Sequence, residues 1–116
     1  MALIGTVTRG DYEEITFAVT NPDGSARNIT TDTIKFSAKV TLKDAAPLVT
    51  KISTDASQIV KTNAAGGIGK VVLQPADLAT IDKDGRVLFC DIVVTDSSSR
   101  PYSTRFDLSV ILDVSS

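Results

Sequence analysis

The stretch Thr33-Ile34-Lys35-Phe36-Ser37-Ala38-Lys39-Val40-Thr41 decides the fold class. Ile34, Phe36, Ala38 and Val40 alternate with Thr33, Lys35, Ser37, Lys39 and Thr41. Successive side chains of a strand point to opposite faces, so a period of two marks a strand with one buried face. The pattern recurs on both sides. In residues 14–20, Ile15, Phe17 and Val19 alternate with Glu14, Thr16, Ala18 and Thr20. In residues 104–113, Phe106, Leu108, Val110 and Leu112 alternate with Arg105, Asp107, Ser109 and Ile111. Residues 86–95 differ. Leu88, Cys90, Ile92 and Val94 form one apolar face, and Val87, Phe89, Asp91 and Val93 make the other face mostly apolar too. A central strand, or one covered at a subunit contact, shows that composition.

Shorter segments complete the set. Residues 70–74 predict a buried strand. Residues 48–53 and 58–62 are weaker candidates, an edge hairpin if they pair with each other. Residues 3–8 are either a first strand or an extended arm. Asn21-Pro22-Asp23-Gly24, Asp82-Lys83-Asp84-Gly85 and Asp96-Ser97-Ser98-Ser99 have turn chemistry, and residues 63–67 read as a flexible loop. Strand-sized segments punctuated at such short spacing predict a sandwich or barrel. In Gln74-Pro75-Ala76-Asp77-Leu78-Ala79-Thr80-Ile81, the Pro and the early acid predict one short helical turn near 75–81. Leu78 and Ile81 would then seal one end of the core.

Composition narrows the function. A chain of 116 residues, 42% of them hydrophobic, suits one domain with one core. Residues 1–9 are the arm or first strand, and 10–116 the domain. The formal net charge is −2 and no basic stripe exists, so neither nucleic acid nor an anionic membrane is an expected partner. No apolar run approaches the roughly 20 residues of a membrane span, and the N-terminus does not read as a signal peptide. The single cysteine, Cys90, cannot form an intrachain disulfide, which suits folding in a reducing cytoplasm. There is no His, which removes the commonest general base and metal ligand.

The apparent motifs fail on named residues. Arg9-Gly10-Asp11 spells an adhesion tripeptide but reads as a turn entering a strand. Gly66-Gly67-Ile68-Gly69-Lys70 lacks the first phosphate-loop Gly, where Ala64 stands, and the Ser/Thr, where Val71 stands. Asp82-Lys83-Asp84-Gly85 lacks the preceding acid of a calcium loop, where Thr80 stands, and the flanking helices. Asn28-Ile29-Thr30 fits a glycosylation sequon that stays silent without secretion. Cys90 lies on an apolar strand face and reads as a buried thiol. The expectation is therefore not an enzyme, with no catalytic residue, cofactor or metal.

The order of motifs resembles a family of small immunoglobulin-like phage virion domains, including the N-terminal domains of phage baseplate upper proteins and related tail-associated proteins. The resemblance runs from about residue 10 to 114. It starts at Gly10-Asp11 and the strand Ile15-Thr16-Phe17-Ala18-Val19-Thr20, and continues through Asn21-Pro22-Asp23-Gly24-Ser25. Asn28-Ile29-Thr30-Thr31-Asp32-Thr33-Ile34-Lys35-Phe36 follows, with Thr31-Asp32 where the family usually has Gly-Ala. Gly69-Lys70-Val71-Val72-Leu73-Gln74-Pro75-Ala76-Asp77 and Phe89-Cys90-Asp91-Ile92-Val93-Val94-Thr95-Asp96 complete it. Asp84-Gly85 stands where the family often has Pro-Gly.

The resemblance implies an all-β, immunoglobulin-like antiparallel sandwich of about seven to eight strands. It implies a structural virion protein of the phage tail, baseplate or fibre attachment, assembled in the host cytoplasm. Its partners would be other virion proteins and further copies of itself on a symmetric particle. A capsid decoration protein is one alternative. A carbohydrate-binding adhesion module using Tyr12 and Tyr102 is another. Candidate protein-contact residues are Leu3, Ile4 and Val7 on the arm, Gly66, Gly67 and Ile68 in the loop, and Phe89 and Val93 on the second apolar face.

Overall fold

The computed structural model describes residues 5–8, 12–41, 43, 46–81 and 85–111. Their strands are β1 (Gly5–Thr8), β2 (Glu13–Ala18), β3 (Thr33–Lys39), β4 (Val49–Ile52), β5 (Ile59–Asn63), β6 (Ile68–Leu73), β7 (Arg86–Thr95) and β8 (Pro101–Ile111). They form a five-stranded sheet in the order β1-β8-β7-β3-β4 and a three-stranded sheet in the order β2-β6-β5. β1 runs parallel to β8, and every other pairing is antiparallel.

The alternation explains which face each strand buries. Ile34, Phe36 and Ala38 of β3, Leu88, Cys90, Ile92 and Val94 of β7, and Leu108 and Val110 of β8 are buried. Across from them lie Ile15 and Phe17 of β2, Ile59 of β5, and Val71 and Leu73 of β6, so both sheets share one core. Half-buried Phe106 packs against this core, its ring centroid 6.0 Å from that of Phe36. Residues 3–8 supply a true strand over Gly5–Thr8, and Val7 is buried in the core. The Thr8 amide donates to Glu13 Oε2 at 2.9 Å, which ties the end of β1 to the start of β2.

Two expectations change. β4 pairs with β3 and β5 with β6, so residues 48–53 and 58–62 lie in different sheets and form no hairpin with each other. Residues 75–80 form turns, and no helix occurs among the described residues. Asp77 N donates to Gln74 O, Ala79 N to Ala76 O and Ile81 N to Leu78 O, which closes separate turns rather than a continuous ladder. Helix nucleation is costly in so short a segment. Asp77 Oδ2 accepts the Gln74 amide at 2.7 Å, as the acid of a helix start does, and also pairs with Lys51 Nζ at 2.7 Å. Leu78 and Ile81 are buried and part of the core, as expected of them.

The loop read as flexible is pinned. Val19 N donates to Gly67 O and Ile29 N to Ala64 O, both at 2.8 Å. Gly67 has φ +75, and a Cβ there would lie 2.5 Å from the carbonyl oxygens of Arg27 and Val19. A side chain is excluded twice, by conformation and by space. Gly69 makes room for the Phe17 ring, whose Cζ would sit 2.6 Å from an added Cβ. The glycines of residues 66–69 thus serve close packing between β6 and its surroundings.

Candidate protein-contact face

The outer face of the five-stranded sheet is built by register. β7 contributes Val87, Phe89, Asp91 and Val93, the residues left over when Leu88, Cys90, Ile92 and Val94 turn inward. Pairing sets their neighbours. Phe89 lies between Lys39 of β3 and Asp107 of β8. Asp91 lies between Ser37 and Arg105, and Val93 between Lys35 and Ser103. Phe89 remains 38% exposed and Val87 39%, side by side on this face. A concavity of about 270 Å³ opens here, lined by Ser37, Lys39, Phe89, Asp91, Arg105 and Asp107 among others.

Asp91 carries the one orphaned group found among the described residues. Its Oδ1 is buried and accepts no hydrogen bond. Buried polar atoms are almost always paired, so this oxygen is an exception within the sheet. Beneath it, burial pushes the Cys90 thiol up to about 12, with the Asp107 and Asp91 charges adding to the effect. Cys90 Sγ faces Leu88 O at 3.8 Å, and the thiol is a packing group rather than a nucleophile.

The other candidates fall elsewhere. Leu3, Ile4, Arg9, Gly10, Asp11 and residues 82–84 lie outside the described residues. Val7 and Gly67 are buried, while Gly66 and Ile68 are half-buried. Phe89 and Val93 share the outer face with each other and with none of the loop residues. Tyr12 is exposed on the opposite sheet, where its hydroxyl donates to Glu14 Oε2 and Lys70 Nζ pairs with the same oxygen. Lys70 and Tyr12 together hold the Glu14 carboxyl below its ordinary range. Tyr102 is half-exposed, but the Arg27 guanidinium lies 4.8 Å from its ring centroid and occupies one face. Asn28 Oδ1 accepts from the amide and hydroxyl of Thr30, a local turn.

No protein family, curated protein or solved structure matches this chain. Among the described residues, no group of three or more Cys, Asp or Glu is arranged to hold a metal ion. The reading of the outer face therefore stands on its geometry. The sequence pointed to Phe89 and Val93 through the apolar second face of residues 86–95. It did not single out Lys39, Asp91, Arg105 and Asp107, because only the register brings them beside Phe89.

Proposed function

We propose that the chain is a structural protein of a tailed-bacteriophage virion, with an immunoglobulin-like sandwich that makes protein–protein contacts in the tail, baseplate or fibre attachment. The strand order supports the fold. An immunoglobulin-type sandwich sets its second, fifth and fourth strands in one sheet and its third, sixth and seventh in the other, the third being extended by an extra edge strand in variable-type domains. β2-β6-β5 and β8-β7-β3-β4 follow that arrangement, with β1 added beside β8. The sequence resemblance supplies the phage setting.

The observation that carries the functional reading is the outer face around Phe89. It combines half-exposed apolar groups with flanking charges of both signs. Interface cores are enriched in aromatic residues and flanked by polar rims, and a built scaffold with one such face fits assembly on a symmetric particle. Capsid decoration uses the same surface logic and remains the alternative location. The carbohydrate reading has less support, because Arg27 already covers one face of Tyr102.

The test is incorporation. Tagged chain expressed in a host producing the phage is expected to co-purify with particles at a fixed stoichiometry, and Phe89→Asp to reduce that incorporation. Particles that contain none of the chain overturn the reading.

A further inference from the structure

We draw no further inference here: the strongest candidate, the half-exposed apolar patch of Phe89 and Val87 on the outer face of the five-stranded sheet, belongs to the contact surface already described, and nothing in the structure shows what covers it.

Discussion

Lys51 is a charged residue on an inward-facing position. It lies in register with Phe36 on β3, is 8% exposed, and holds Asp77 at 2.7 Å. The pair fastens the β4 edge of the larger sheet to the turns that carry Leu78 and Ile81 into the end of the core. Its two halves are not equivalent. The Lys51 side chain is 9% exposed and the Asp77 side chain 22%. Asp77→Ala leaves an almost buried ammonium without its counter-charge. Breaking a buried pair in this way costs about 3 kcal/mol, the low end of the usual range because water reaches the acid side. Lys51→Met keeps an apolar stem in place, and Asp77 retains the Gln74 amide and some solvent, so the loss is about 1 kcal/mol. The double variant Lys51→Met/Asp77→Ala removes the stranded charge and is expected to be more stable than Asp77→Ala alone. In a domain of this size each kcal/mol moves the midpoint by about 4 °C, so Asp77→Ala melts about 12 °C low and Lys51→Met about 4 °C low. Circular dichroism melts at neutral pH, with urea titrations for ΔG, measure all three. If Lys51→Met costs as much as Asp77→Ala, or if the two losses simply add, the reasoning is refuted.

Gly67→Ala is expected to destabilise by roughly 2 kcal/mol or more, since its Cβ meets two carbonyl oxygens at 2.5 Å, whereas Gly24→Ala, with open space around it, costs only about 1 kcal/mol for its positive φ; urea midpoints compare them. The Cys90 thiol, pushed up to about 12, is expected to resist a disulfide reagent at neutral pH and to react fully once urea unfolds the chain. Because its folded value lies above the unfolded one of about 8.5, its contribution is present below that value and fades as pH rises toward 12. Acid acts through other groups. Asp23, Asp55 and Asp96 are held below their ordinary range by hydrogen bonds from Ser25, Ser57 and the Arg100 amide respectively, and Glu14 by Lys70. Their contribution is present above about pH 4 and is lost as pH falls through the lowered folded values, so melts taken down through that range should show a declining midpoint.

Much of the fold was legible because a period of two assigns faces. Ile34, Phe36 and Ala38, and Leu88 to Val94 in steps of two, are the buried positions that the alternation marks. Periodicity does not say which strand pairs with which, and that is why residues 48–53 and 58–62 read as one hairpin while they belong to two sheets. The glycines around residue 67 signalled freedom, but the constraint came from carbonyls of Arg27 and Val19, far away in sequence. The Pro and Asp of residues 75–77 carried a helix-start signal, and Asp77 does accept the Gln74 amide, but the turns that follow close separately and do not run on into a helix. The same limit applies to the contact face. The second apolar face of residues 86–95 was visible in the chain, whereas the pairing of Lys39, Phe89 and Asp107 in one row exists only through register.

Residue-resolved hydroxyl-radical footprinting of the chain, free and within purified particles, tests the central claim most directly. The account predicts that Phe89 and its neighbours Val87 and Val93 lose reactivity on assembly, while Tyr12 on the opposite sheet keeps more of its own. Undiminished labelling of Phe89 with protection centred on β2, β6 and β5 would contradict it.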